Sequence, residues 1–279
     1  MMQSAEPVQK HRSGLLAALL HGIAPGMGFL YAGKTVTAFF IPVLMLAWIL
    51  ALGWSRVLLE PLGIAVLWTG LLLFYLCLIP IVFLVARKNV ANTQRSFFFQ
   101  IAVYIAFILW LFLLVMSLLQ FRAILLGYET FRLPTRSMAA TLIPGDYIVV
   151  DTWTYQEKPP ATGDVVVFRN PLDGRYFTKR IIGMPGEKVS IRRGVVSING
   201  RALQEPYVLP SNNRLTSNKD FSDWTVPSGH YFMLGDNRDH SNDSRVWGFL
   251  STDAILGKVT SIWFSFSGSF RLERIHSVE

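Results

Sequence analysis

Ser137 and Lys179 are the two side chains on which covalent chemistry could be built. Ser137 sits in Arg132-Leu-Pro-Thr-Arg-Ser-Met138, just beyond a long apolar segment, and Lys179 follows in Phe177-Thr-Lys-Arg-Ile-Ile-Gly183. A serine hydroxyl is a weak nucleophile until a base takes its proton, and an uncharged lysine amine can be that base. Such a base needs a pKa near the working pH, so the lysine value must fall by several units. Alternation along a strand predicts Phe177, Lys179 and Ile181 on one face and Thr178, Arg180 and Ile182 on the other. A lysine between Phe and Ile on a covered face loses hydration, which penalises the ammonium and lowers its pKa. Arg180 cannot take this part, because a guanidinium keeps its proton. Read singly, each residue also has an ordinary account: most lysines reach solvent, and a serine after arginine in a loop is usually a solvated hydroxyl.

Other chemistries find less support. No Gly-x-Ser-x-Gly surrounds Ser137, so a strand-to-helix nucleophile elbow is not indicated. His240 lies close to Asp236 and Asp239, which suggests a rival serine–histidine–aspartate triad, but neighbours on one loop seldom point at each other. His11, His21, His230 and His276 are scattered and show no metal-ligand spacing. The single cysteine, Cys77, allows neither an intramolecular disulfide nor a cysteine metal site. Pro25–Gly33 is rich in glycine but lacks the Lys-Ser/Thr ending of a phosphate loop, so a packing or turn role fits it better.

The elements that must position these residues are strands. Tyr147–Val150, Asp164–Phe168, Tyr176–Ile182, Lys188–Ile191, Val195–Ile198, Tyr231–Leu234 and Lys258–Phe264 are short and β-branched, with Arg193-Gly194 and Asn199-Gly200 as tight turns. Strands this closely spaced leave no room for crossover helices, so antiparallel meanders and a mainly-β domain over residues 121–279 are expected. The polar stretch 205–229 reads as an irregular surface excursion.

Residues 1–120 are different in kind. The chain of 279 residues is 52% hydrophobic and 16% charged, and its net charge is +8. Seven bases and only two acids, Glu6 and Glu60, fall before residue 121. Val36–Trp54, Leu62–Ala86 and Phe97–Leu119 carry no charged side chain, and each is long enough to cross a bilayer as a helix. Gly14–Gly33, interrupted by His21, Pro25, Gly26 and Gly28, is compatible with a re-entrant hairpin, an interfacial helix or a further span. The connection Arg87–Arg95 is the most basic, so it belongs in the cytoplasm and residues 121–279 outside. Bases distributed around spans, rather than clustered on the folded domain, do not make a nucleic-acid footprint.

Three stretches together carry a resemblance. They are Arg132–Thr141 with Gly145-Asp-Tyr-Ile-Val-Val150, Gly163–Phe168 with Lys179-Arg-Ile-Ile-Gly-Met-Pro-Gly-Glu187, and Gly235-Asp-Asn-Arg-Asp-His-Ser-Asn-Asp-Ser-Arg-Val-Trp-Gly248. In order and content they resemble the signature boxes of bacterial type I signal peptidases, membrane-bound Ser/Lys proteases that trim exported proteins. The resemblance implies N-terminal transmembrane α-helices (domain 1–120) followed by a signal-peptidase-like, antiparallel catalytic β-domain (121–279) on the outer, periplasmic face of a bacterial inner membrane. It implies Ser137 as acyl-forming nucleophile, Lys179 as general base, and the Thr135 hydroxyl with the Ser137 N–H as oxyanion hole. It further implies that Ser241 orients the lysine amine, that Met138 packs beside the nucleophile, and that Asp236, Asp243 and Arg245 form structural hydrogen bonds and ion pairs. No cofactor or nucleic acid is implied. The implied partners are preproteins with small residues at the first and third positions before the cut, the lipid bilayer and the export machinery. Two positions depart from the family pattern: Ala140 stands where many relatives have proline, and Arg136 where a small residue is frequent. The alternatives are a specialised maturation peptidase of conjugative-pilus type, or an inactive membrane-anchored scaffold of the same fold.

Overall fold

The computed structural model describes residues 11–89, 97–170, 173–216, 219–221 and 223–278. Glu6, and residues 90–95 of the basic connection, lie outside them. Two units emerge, residues 1–55 with 64–126 and residues 56–63 with 127–279.

The first unit is helical. Helix α1, Gly14–Ile23, starts where Ser13 Oγ accepts the Leu16 N–H at 3.2 Å, satisfying one free donor of the first turn. It ends before Pro25, and Gly26 at φ 93° turns the chain into the short α2, Met27–Tyr31. Ten residues rise only about 15 Å, half the thickness of a bilayer core. Three longer helices follow: α3, Thr35–Trp54; α4, Gly63–Lys88; and α5, Phe97–Leu126. All three are long and apolar enough to cross a membrane. Pro42 and Pro80 lie inside α3 and α4, and α5 departs from helical geometry at Phe121. Ala17, Phe29, Ala38, Ile41, Val82 and Phe107 are buried together, while most of the remaining apolar surface of these helices is exposed.

Among the described residues of the second unit, eleven strands can be followed: β1 Tyr128–Arg132, β2 Asp146–Asp151, β3 Val165–Arg169, β4 Tyr176–Gly183, β5 Lys188–Arg192, β6 Val195–Ile198, β7 Arg201–Ala202, β8 Trp224–Thr225, β9 His230–Leu234, β10 Leu250–Ser251 and β11 Ile255–Ser265. They form a seven-stranded sheet in the order β1-β2-β11-β3-β4-β9-β10 and a four-stranded sheet in the order β7-β6-β5-β8. Each registered pairing is antiparallel. Arg193-Gly194 and Asn199-Gly200 all have positive φ, as the tightest two-residue hairpin turn requires. Leu133, Met138, Leu142, Ile148, Val150 and Ile262 form the core next to the Ser137 segment. A second core on β3, β4 and β9 contains Val166, Phe168, Ile181 and Met233. The 205–229 excursion is mostly irregular, as expected, though β8 lies within it and pairs with β5.

Residues 56–63 belong to this unit although they lie between α3 and α4 in the chain. Their hold is specific. Arg56 pairs with Asp151, Leu59 O accepts Ser261 Oγ at 2.6 Å, and Glu60 O accepts Trp263 Nε1 at 3.1 Å. Leu58 is fully buried.

Candidate active site

Strand β4 is buried on both faces from Lys179 to its end, because core residues lie above and below it. It pairs with β3 along Tyr176–Arg180, but its registered pairs with β9 begin only at Arg180. On that side Tyr176–Lys179 therefore has no strand partner among the described residues. Leu133, Pro134 and Thr135 face this stretch across a cleft of about 370 Å³, which His240 and Asn242 also line.

Ser137 and Lys179 meet in this cleft. Lys179 Nζ donates to Ser137 Oγ at 2.8 Å and to the Thr178 carbonyl at 3.0 Å. With the amine neutral, the first contact can reverse, the hydroxyl donating to nitrogen, which is the arrangement proton transfer requires. Thr135 Oγ1 lies 3.4 Å from Ser137 Oγ on the same cleft wall. The lysine is 3% exposed, and its amine sits 5.6 Å from the centre of the Phe177 ring. Burial pushes its pKa down from the ordinary lysine value to about 8. The Asp243 and Asp236 carboxylates pull it partly back up, and the Arg245 guanidinium adds to the fall.

The acidic residues of the third motif support the site from behind. Asp236 is fully buried and takes a two-pronged bond from Arg180, Nε at 3.0 Å and Nη2 at 2.8 Å, while Thr141 Oγ1 donates to it at 2.5 Å. Arg180 also donates to Gly163 O at 2.7 Å, and its Cζ lies over the Tyr207 ring, 3.8 Å from the ring centre. Asp243 accepts Arg245 Nε at 2.7 Å and the Gly235 N–H at 3.0 Å. Arg238 pairs with Glu205 from the excursion and donates to Gly235 O at 3.2 Å. Gly235 itself is packed so closely against the Ser137 carbonyl and Ser241 that a β-carbon there would overlap both. Met138 is buried in the core beneath the nucleophile segment.

One expected contact is absent. Ser241 does not hydrogen-bond to the lysine; its hydroxyl is buried without a partner, and the second acceptor of the amine is the Thr178 carbonyl. The carbonyl takes the place because it belongs to the adjacent residue on the same strand. The rival triad gains nothing from the geometry, since neither nearby carboxylate is bonded to His240. Asp236 is taken up by Arg180 and Thr141, and Asp239 accepts the Leu215 and Thr216 N–H groups. Arg180, Glu205, Arg238 and Asn237, whose Nδ2 donates to the Arg136 carbonyl at 3.1 Å, complete the support without being marked as site residues by the sequence. Only the local signal of a buried-strand arginine, which must find an anion, could have pointed to Arg180.

The family model described as "Signal peptidase, peptidase S26" matches residues 101–264. A probable signal peptidase I-1 of Synechocystis sp. is 41% identical over 134 residues, covering 45% of this chain and 65% of that protein. Signal peptidase I of Buchnera aphidicola subsp. Acyrthosiphon pisum is 31% identical over 235 residues, covering 54% of this chain and 75% of the relative. A solved signal peptidase I from Enterococcus faecalis is 36% identical, with 37% of this chain and 98% of that one covered and a TM-score of 0.33.

Proposed function

The chain belongs to the signal peptidase family, peptidase S26, and from that premise we propose that it is a membrane-bound serine endopeptidase removing N-terminal signal peptides from exported preproteins. The observation that carries this reading is the 2.8 Å contact between a buried lysine amine and a serine hydroxyl at the edge of an open cleft. Ser137 Oγ attacks the scissile carbonyl carbon as Lys179 Nζ takes its proton. The tetrahedral oxyanion is stabilised by the Ser137 N–H and the Thr135 hydroxyl. As the C–N bond breaks, the ammonium returns the proton to the leaving amine, and a water then hydrolyses the acyl-serine with Lys179 again as base.

The substrate enters extended, adding to the unpaired side of Tyr176–Lys179 so that backbone hydrogen bonds set its register. Small side chains at the first and third positions before the cut then face the cleft walls. Such a reading fits signal peptides, whose cleavage sites have small residues at those places. The three long apolar helices support a multi-pass enzyme, and the Arg87-Lys88 pair closing α4 supports a cytoplasmic α4–α5 connection. The catalytic unit then lies on the periplasmic face of the plasma membrane, where translocated preproteins and the export machinery meet it. Residues 1–120 serve as the membrane domain and 121–279 as the catalytic domain, with the 56–63 segment joining the latter.

Processing of a model preprotein by the wild type, Ser137→Ala and Lys179→Ala tests the proposal. Loss of cleavage in both variants, each folded, is the expected result. Full cleavage by either would overturn the Ser/Lys assignment.

A further inference from the structure

Ser137 lies in a segment that is neither helix nor regular strand, so no ladder of hydrogen bonds fixes its backbone. Every carbonyl from Arg136 to Thr141 is nevertheless held. Arg136 O accepts Asn237 Nδ2 at 3.1 Å, Ser137 O accepts the Asn237 N–H at 3.1 Å, and Met138 O accepts the Leu142 N–H at 2.8 Å. The next three carbonyls are gripped by two side chains that no sequence motif singles out. Ala139 O accepts Asn212 Nδ2 at 2.9 Å, while Ala140 O and Thr141 O accept Arg274 Nη1 at 3.5 Å and Nη2 at 2.8 Å.

The two residues arrive from separate parts of the fold. Asn212 comes from the irregular excursion between β7 and β8, and Arg274 from the last turns of the chain. Arg274 also pairs with Asp146 at 2.6 Å, and Asp146 in turn accepts the Ile143 N–H at 2.9 Å and Ser265 Oγ at 2.6 Å. One planar guanidinium thus spans two loop carbonyls and a buried carboxylate that is anchored to β11. The gripped residues have little means of holding themselves, because the Ala139 and Ala140 side chains have no polar atom and do not lock φ.

We infer that Asn212 and Arg274 are positioning residues for Ser137: by pinning the carbonyls of residues 139–141 they fix the segment that sets the nucleophile and its backbone N–H. The inference rests on Ser137 being the nucleophile. Displacing a reacting group by about 1 Å can cost on the order of 100-fold in rate, so a loosened segment should slow chemistry while leaving substrate capture by the rest of the cleft intact. Lysine at 274 would keep the positive charge beside Asp146, which also retains Arg271 at 3.5 Å, but one ammonium lacks the fork that reaches both carbonyls.

The test uses the full-length protein in detergent and a model preprotein. Arg274→Lys and Asn212→Asp are each expected to lower kcat by about 10- to 100-fold with KM within about twofold. The melting temperature should stay within a few degrees of wild type, and amide hydrogen exchange should rise in a peptide covering 136–143 but not in β3 or β9. A wild-type kcat in Arg274→Lys would overturn the inference. So would a rate loss matched by global unfolding or by an equal rise in KM. Ser137→Ala, run alongside, separates the two levels: if it still cleaves, the nucleophile assignment has failed, whereas an inactive Ser137→Ala beside a fully active Arg274→Lys removes only the positioning inference.

Discussion

Phe177 offers a way to move the pKa of the general base without touching either reacting atom. Its ring lies 5.6 Å from Lys179 Nζ and packs against Phe168, keeping water from one side of the amine. Lys179 has a pKa of about 8, so about 9% of it is neutral at pH 7, against about 0.03% for an ordinary lysine. Asp243, Asp236 and Arg245 act on the same amine and would remain in place. If Phe177→Ser admits enough water to undo about half of the shift, the midpoint moves to about 9.2 and the neutral fraction at pH 7 falls to about 0.6%. The expected loss is therefore about 15-fold at pH 7. At pH 10 both enzymes are mostly in the base form, and the deficit should shrink to about 1.2-fold. Initial cleavage rates of one preprotein between pH 6 and 10.5 provide the assay. Because the signal is the change in the wild-type to mutant ratio with pH, a lower yield of folded mutant cannot mimic it. A constant ratio across the range, with the acidic midpoint unmoved, would refute the claim that a buried, deprotonated Lys179 limits the reaction.

Ser137→Ala and Lys179→Ala act on one nucleophile–base unit, so the double mutant should lose little more activity than either single one; multiplicative losses in single-turnover rates would argue against the pairing. His240→Ala should process preprotein at close to the wild-type rate, and a fall of orders of magnitude with folding intact would instead favour a histidine base. Lys179→Met should be more stable than wild type at pH 7 by on the order of 3 kcal/mol in thermal unfolding, because the folded state penalises the ammonium below pH 8. Between about pH 8 and 10.5 the unfolded lysine binds more proton than the folded one, so wild-type stability should rise with pH and the advantage of the mutant should disappear; an advantage constant with pH would contradict the depressed value. In a Cys77→Ser background, cysteines placed near residue 92 should be labelled from the cytoplasm and cysteines near residue 213 from outside, and the reverse pattern would overturn the orientation.

What could be read from the residues was whatever local pattern dictates. Uncharged runs marked α3, α4 and α5, β-branched runs marked β2 to β6, β9 and β11, and two dipeptides marked hairpin turns. Strand β1 escaped because Glu129 and Arg132 dilute its pattern and it follows directly on α5. Strands β7, β8 and β10 are two residues each and exist only through their partners. Ser137 and Lys179 stood out through family resemblance, since nothing local distinguishes a buried lysine from one that reaches solvent. The resemblance also suggested a Ser241–lysine contact, which the Thr178 carbonyl takes instead. The Arg180–Asp236 pair joins residues 56 positions apart, and Arg274 and Asn212 grip backbone carbonyls, groups that every residue offers and no side-chain pattern can flag.

The docked segment 56–63 imposes an order on biosynthesis. Its acceptors, Leu59 O and Glu60 O, are made about 200 residues before the Ser261 and Trp263 donors that complete them. At about 5–20 residues per second, the ribosome needs roughly 10–40 s to cover that interval. For the first part of that time Arg56 lacks Asp151, and Leu58, fully buried in the finished fold, waits for β2, against which residues 57–59 lie. A fragment starting at residue 127 would never close this gap: Ser261 and Trp263 would keep donors without these acceptors, and the niche of a fully buried leucine would open to water. The peptidase unit is thus complete only when segment 56–63 has met strand β11 across about 200 residues of synthesis.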